Sequence, residues 1–510
     1  MPSSILERYQ RAKSHKDNFI PIFEECYEYS MPGRESFYGE EPGRRRDDKI
    51  FDETAVVGVQ EFASRIQHGV VPNYSRWSDL KGGVEIPKDQ REAVENDLDE
   101  VTEYVFGVVH ASNFAQEVHE AFLDLAVGTG TLQVDEGDAI NPIKCKAVAL
   151  PHVILEEASD GSVGGVFRLR KPMTVEKALE LFPKGKISAR TGENKVTLLE
   201  LVERDMSKIN QMAYKFCVYD MEKDEEVWTE EFDGIGSNPY IVFRWTTAAG
   251  EVYGRGPLFN ALAAIKTANL TVELILENAQ MSIGGIWQME DDGVVNPDTI
   301  SLVPNTIIPI APGSRGLEGI GSPSNFDVSQ LILQDMRLNI KKALYNDMLG
   351  DPDKTPASAT EVAERMADLS RRMGSAFGRI QTELVQPFLQ RVIYILKKQG
   401  RIELPTVNGR EVRVVSTSPL AQAQKNEDIG AVARWLEMVG GMFGPELLNI
   451  LVSSEEVALH LGKQFGVPDK LIRDENQRNE IIQAMQEMAA QQAGAQQNAP
   501  TEEEAGPTGP

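Results

Sequence analysis

The stretch from Gly254 to Gly350 constrains this chain more than any other, because it encodes two long helices separated by a compact insert. From Pro257 to about Met281, apolar residues fall at Leu258, Leu262, Ile265, Val272, Leu276 and Ala279. Steps of three, four or seven place them on one helix face. Pro257 sits in the first turn, where its missing N–H would have no partner anyway, and Gly284-Gly285 stops the run. After the insert, Leu333, Met336, Ile340, Leu344 and Met348 repeat the spacing up to Gly350. Each helix also keeps polar residues: Asn260, Thr267, Glu273 and Glu277 on the first, Gln334, Arg337, Asn339, Lys341 and Lys342 on the second. Two half-polar helices joined through a small domain suit a stem packed beside copies of itself.

At 510 residues the chain can build several cores, two to four domains or one elaborate domain. Its 52 Lys+Arg against 78 Asp+Glu leave a net charge of −26. Such a chain does not hold nucleic acid by general electrostatics, although it could let DNA slide past. Cys26, Cys145 and Cys217 form no CxxC pair, which argues for a reduced, intracellular setting and against structural zinc. No apolar run is expected to reach the roughly twenty residues of a membrane span. The charged N-terminus lacks a signal-peptide core, so synthesis in the cytoplasm is expected.

In chain order, residues 3–31 read as one helix with Ile5, Tyr9, Phe19, Ile22, Phe23, Cys26 and Tyr27 as apolar points. Arg44-Arg45-Arg46 is followed at once by Asp47-Asp48 and reads as a self-neutralised loop. Helices follow over 52–71 and, in two segments breaking near Ser112-Asn113, over 87–127, with a turn carrying Trp77 between them. Strands are predicted near 131–135, 147–155, 163–170, 196–203, 213–219 and 240–245, with a short helix at 175–182. The insert reads as short strands at 285–289, 299–302 and 306–310. Thr360 can cap a long helix whose stripe includes Met373, Phe377, Ile380, Leu384 and Phe388. Pro387 falls inside it, so a kink is predicted just before that residue. A strand at 411–415 and helices at 423–443 and 445–461 complete a fold of class α+β, mostly helical.

The motifs of catalysis are missing. The nearest approach to a phosphate-binding loop, Pro183-Lys184-Gly185-Lys186, lacks its spacing and hydroxyl. Gly128-x-Gly130 and Gly254-x-Gly256 lack a third glycine and read as turn glycines. The six histidines form no ligand pair, no Gly-x-Ser-x-Gly occurs, and no Cys stands near a His. No catalytic, cofactor-binding or metal-binding residue is therefore assigned, and a non-enzyme is expected.

Four blocks carry a family resemblance: FDETAVVGVQEFASRIQHGVVPNYSRWSDL, VGTGTLQVDEG, VYGRGPLFNALAAIKTANLTVELIL and PASATEVAERMADLSRRMGSAFGRIQTELVQPFLQRVIYIL. In this order they resemble the portal (head-to-tail connector) family of short-tailed double-stranded DNA bacteriophages, across most of residues 1–400. The resemblance implies a ring of identical subunits, usually twelve, at one capsid vertex of the virion. It implies a wing (1–253), a first stem helix (254–283), a clip (284–326) and a second stem helix (327–349). A tunnel loop (350–360), a long kinked helix with the wing return (361–420), a helical crown (421–495) and a disordered tail (496–510) would follow. Implied partners are double-stranded DNA in the channel, the terminase large subunit, then a tail adaptor, and the major capsid and scaffold proteins; a membrane is not. Lys341, Lys342 and Lys354 become candidate DNA contacts, and Arg315 and Glu318 candidate docking residues of the clip. The competing expectation is a helical adaptor or scaffold of another assembly, without a DNA-sized channel.

Overall fold

The computed structural model describes residues 4–39, 47–82, 88–159, 161–188, 194–205, 208, 212–284, 287–288, 318–319, 326–346, 371–403 and 412–418, then 434–439, 441–442, 453, 457–458 and 462. The chain divides into two compact units, Met1–Ala421 and Gln422–Pro510. In the second, residues 434–439 are helical, and Trp435, Met438 and Met442 are exposed there.

The first unit begins with α1 (Ile5–Asp17) and α2 (Ile20–Ser30) in place of one helix over 3–31. Pro21 lies in the first turn of α2 and has no N–H with which to continue α1. Ser4 and Glu7 close a capping box that starts α1. There follow α3 (Thr54–Val70), β1 (Ser78–Gly82), α4 (Lys88–Ala111), α5 (Phe114–Val127) and β2 (Thr129–Glu136). The strand predicted at 147–155 is two, β3 (Ile143–Ala147) and β4 (Val153–Glu157), parted by a 3-10 turn that contains Pro151. Next come β5 (Val163–Leu169), β6 (Met173–Thr174), α6 (Val175–Leu181), β7 (Lys195–Val196), β8 (Leu198–Arg204) and β9 (Tyr214–Asp220). β10 (Glu225–Phe232), whose glutamates mask its alternation in sequence, pairs with β9 and precedes β11 (Tyr240–Arg244). The unit continues through α7 (Pro257–Gly284), β12 (Trp287–Gln288), β13 (Glu318–Gly319) and α8 (Phe326–Ala343). It ends in α9 (Gln386–Lys398) and β14 (Val412–Ser416), which pairs with β1.

The largest sheet is antiparallel in the order β10-β9-β8-β5-β4 and is covered on both faces. Period-two alternation puts Phe167, Leu199, Leu201, Cys217 and Tyr219 on one face, under Tyr9 and Ala12 of α1. Val166, Leu198, Val202, Phe216 and Val218 look the other way, into the main core. Fully buried Glu200 on that face accepts hydrogen bonds from Arg170 Nε and Tyr240 Oη, while Arg168 donates to Gln133 and Tyr240. This network ties the large sheet to the three-stranded sheet β11-β2-β3. At the opposite end of the core Trp77 is buried, edge-on to Phe106 at 4.9 Å and beside Phe114 and Phe388, which stack at 4.0 Å. A residue that reads as part of a turn is thus the meeting point of α4, α5 and α9.

One expectation is corrected by α7. Residues Pro257–Gln280 are long and apolar enough, by length and composition, to cross a membrane. The periodic reading missed this because it counted only the stripe on one face, and leucines lie on others as well.

The hairpin root and its exposed faces, a candidate assembly site

The two glycine motifs of the sequence meet each other. A Cβ at Gly254 would lie 2.1 Å from the Gly128 carbonyl oxygen, and one at Gly256 would lie 2.1 Å from that of Ala126. Gly128 also has φ +154°, a conformation other residues avoid. The missing side chains let two backbones hydrogen-bond at close range. Trp245 N–H donates to Gly128 O at 2.9 Å, Gly256 N–H to Val127 O at 2.8 Å, and Gly254 N–H to Thr129 Oγ1 at 2.9 Å. Here α7 leaves the body of the unit, pinned to the α5–β2 corner.

The Asp-Glu-Thr-Ala block that opens α3 holds the same hairpin from another side. Asp52 Oδ1 accepts from the N–H of Thr54, the first residue of α3, at 2.9 Å, and Oδ2 pairs with Arg337 Nε of α8 at 2.8 Å. Burial pushes the Asp52 carboxyl up, but Thr54 and Arg337 outweigh it and hold it below its ordinary value. Asn269 of α7 accepts from Phe51 N–H (2.7 Å) and Asp52 N–H (3.1 Å) and donates to Lys49 O (2.8 Å). One residue of each hairpin helix, Asn269 of α7 and Arg337 of α8, therefore reads the start of α3.

The C-terminus of α8 is closed just as firmly. Tyr345 adopts a left-handed conformation with φ +59°, its N–H donating to Lys342 O at 3.1 Å, and Asn346 N–H reaches Lys341 O at 2.7 Å. This is the 6→1, 5→2 pattern of a Schellman cap, with tyrosine where glycine is usual. Arg65 of α3 donates to Tyr345 O, and Asn346 Nδ2 donates to Gly58 O at 2.8 Å. The helix consequently ends at Ala343, before the 349 expected from periodicity. Pro257 of α7 and Ala343 of α8 line one cleft, so the two helices run antiparallel.

Away from this root both hairpin helices expose aliphatic side chains among their polar ones. Leu270, Leu274 and Leu276 of α7, and Leu331, Ile332 and Leu338 of α8, are exposed, Leu331 by 70%. Leu258, Leu262 and Ile265 are buried as the stripe predicts, whereas Leu276 is not, because the far half of α7 runs beyond the body that would cover it. Isolated exposed leucines are ordinary, but here five leucines and one isoleucine are exposed on two packed helices.

Lys341 and Lys342 are exposed in the last turn of α8, where a cation also complements the helix dipole. Lys354 and Arg315 lie outside the described residues; Glu318 falls in β13, paired with Gln288, with its side chain undescribed. Pro387 is in the first turn of α9, directly after a π-helical turn, Gln381–Val385, in which Gln386 N–H reaches back to Gln381 O. Glu383 in that turn accepts from Arg244 N–H (2.9 Å), Nε (3.2 Å) and Nη2 (2.6 Å) and from Arg379 Nη1 (3.1 Å). The turn thus fastens the long helix to β11. Among the described residues no group of three or more His, Cys, Asp or Glu could hold a metal. Sequence reasoning missed Asn269, Arg65, Asn346 and Glu383; only the motif blocks containing or contacting them signalled their positions.

This is the architecture of a helix hairpin mounted on an α+β body, and the chain belongs to the family of bacteriophage head-to-tail connecting proteins, matched over residues 3–472. It is 24% identical over 520 residues to the probable portal protein of Bordetella phage BPP-1, covering 96% of this chain and 92% of that protein. It also aligns with a chain from the neck of an empty gene transfer agent particle computed with C6 symmetry, at TM-score 0.36 and 12% identity, covering 83% of this chain and 92% of that one. A chain of the native gene transfer agent virion aligns at TM-score 0.36 and 13% identity, covering 84% and 94%. The chain is thus a member of the phage portal (head-to-tail connecting) protein family.

Proposed function

We propose that the chain is one subunit of a closed ring, a dodecamer at one capsid vertex of the virion, through which DNA is packaged and later ejected. The observation that carries this is the exposed apolar surface of α7 and α8. Burying a leucine fully stabilises by about 1.5–3 kcal/mol, so these residues supply a substantial drive for neighbouring hairpins to pack. A ring needs two different faces per subunit, and the hairpin offers one on each helix. Net charge −26 suits a conduit to which DNA does not adhere, with Lys341, Lys342 and Lys354 as transient phosphate contacts. Residues 284–326, with Arg315 and Glu318, form the clip that docks the terminase large subunit and afterwards a tail adaptor. The remaining partners are the major capsid and scaffold proteins. The residues at 350–360 form the tunnel loop, and those at 421–495 the crown. Electron microscopy of the purified protein tests the reading. Closed rings around a hole wide enough for a duplex (about 20 Å) are expected, and a strictly monomeric particle under all assembly conditions would overturn it.

A further inference from the structure

Two exposed stripes on the hairpin share one spacing. On α7, Ala263, Thr267, Leu270 and Leu274 are exposed and follow steps of four, three and four, which keep them on one helix face. On α8, Leu338, Gln334 and Leu331 are exposed and, read backwards, follow steps of four and three. The sides that are buried are different ones, carrying Leu262, Ile265 and Ala268 on α7 and Leu333, Ile340 and Leu344 on α8. Because the helices run antiparallel and Pro257 and Ala343 line one cleft, level positions can be counted from that end. Ala263 lies six residues along α7 and Leu338 five along α8; Thr267 lies ten along and Gln334 nine; Leu270 lies thirteen along and Leu331 twelve. Each pair is therefore level to within one residue, about 1.5 Å of helical rise.

We propose that α7 of one subunit packs along α8 of a second copy of this chain, with Ala263 against Leu338, Thr267 against Gln334 and Leu270 against Leu331. The assignment rests on the ring proposed above. Rotation about an axis along the hairpin carries each residue to the same level on the neighbouring copy, so residues level within one subunit are those that meet across the contact. At each of the three levels the chemistry matches. The Ala263 methyl leaves room for the Leu338 side chain, as interdigitated packing requires. Thr267 donates its hydroxyl to Ala263 O at 2.8 Å, and its oxygen can still accept from the Gln334 amide. Leu270 and Leu331 withdraw apolar surface from water together. A two-fold pairing of α7 with itself, centred on this stripe, would instead set Thr267 against Leu270 and leave the α8 stripe unmatched. The contact is thus heterologous, each subunit giving α7 to one neighbour and α8 to the other, the kind that closes into a ring.

The test is disulfide trapping in the full-length protein, whose native Cys26, Cys145 and Cys217 are buried. After assembly and oxidation with copper phenanthroline, Ala263→Cys/Leu338→Cys should give a ladder of covalent multimers on a denaturing, non-reducing gel, since a disulfide needs Cα atoms within about 7 Å. Each single variant should stay monomeric, and so should Ala263→Cys/Leu331→Cys, whose cysteines differ in level by about 9 Å. Leu270→Cys/Leu331→Cys is a second trap at another level. A size swap reads the same contact without a cross-link: Ala263→Leu should raise the concentration needed for assembly about tenfold by overpacking against Leu338, and Ala263→Leu/Leu338→Ala should restore it. A ladder or dimer from a single variant, a faster-migrating monomer from the double variants, or no ladder from either trap overturns the pairing. Rings seen by electron microscopy in samples that give no ladder overturn the pairing alone. Absence of rings from the wild type overturns the portal reading, and the pairing with it.

Discussion

Replacing Gly254 with alanine strikes the point where α7 is pinned to the body. The new Cβ would lie 2.1 Å from Gly128 O, about 0.9 Å inside the 3.0 Å that such contacts keep. Its neighbour is backbone on an element fixed by α5 and β2, so no rotamer change relieves the overlap. The two segments must separate, and the hydrogen bonds from Trp245, Gly254 and Gly256 lengthen together. Three bonds at about 1 kcal/mol net each, plus about 1–3 kcal/mol of overpacking strain, give about 4–6 kcal/mol of destabilisation. Gly107 provides the contrast: it is exposed inside α4 with nothing within 4 Å of a Cβ, so Gly107→Ala gains about 0.5–1 kcal/mol of helix propensity. Urea unfolding followed by tryptophan fluorescence compares the two directly, since Trp245 sits at the junction. A Gly254→Ala protein as stable as Gly107→Ala would refute the glycine-contact argument.

Other perturbations probe the remaining links. Leu331→Glu/Leu338→Glu places charge on the exposed face of α8; assembly should shift to monomer in light scattering, with the far-UV circular dichroism unchanged. Lys16, buried and donating to the carbonyls of Leu150 (2.7 Å), Pro151 (2.9 Å) and Val153 (2.9 Å), is pulled down to about 7 by burial. A lysine whose folded pKa lies below its unfolded value releases a proton on folding, so stability should rise between about pH 7 and 10. Lys16→Met should flatten that part of the pH–stability curve while lowering stability throughout, because three carbonyls lose their donor; an unchanged slope would refute the linkage. Glu383→Ala leaves the nearly buried Arg244 guanidinium without its carboxylate and should cost about 3–5 kcal/mol in the same urea assay. Glu383→Gln should recover part of this.

Much of the architecture is legible in the chain. The period of 3.6 in α7 and α8, the break before α5, and the alternation of β5, β8 and β9 follow from local spacing, because each element must turn its apolar side one way. The breaks at Pro21 and Pro151 do not show in that spacing, because apolar residues continue on both sides of each; the splits between α1 and α2 and between β3 and β4 appear only in the fold. Local pattern does not show β10, where glutamates on an edge strand hide the alternation, nor Trp77, whose turn-like setting gives no hint of burial.

Local spacing therefore yields a list: two half-apolar helices, two glycine motifs, an Asp-Glu-Thr-Ala helix start and an acidic balance. How these combine is set by packing in three dimensions. Gly128 and Gly254 are a contact because each lacks a Cβ at a place where two backbones cross, a fact no one-dimensional pattern contains. Asp52 meets Arg337 from 285 positions away, and Arg372 meets the Lys342 carbonyl from 30 positions away. Hydrogen bonds and charges act over a few ångströms in space, whereas periodicity reports only neighbours along the chain. Which leucines stay exposed is likewise set by where the body ends beneath α7, and so the candidate assembly surface belongs to the fold.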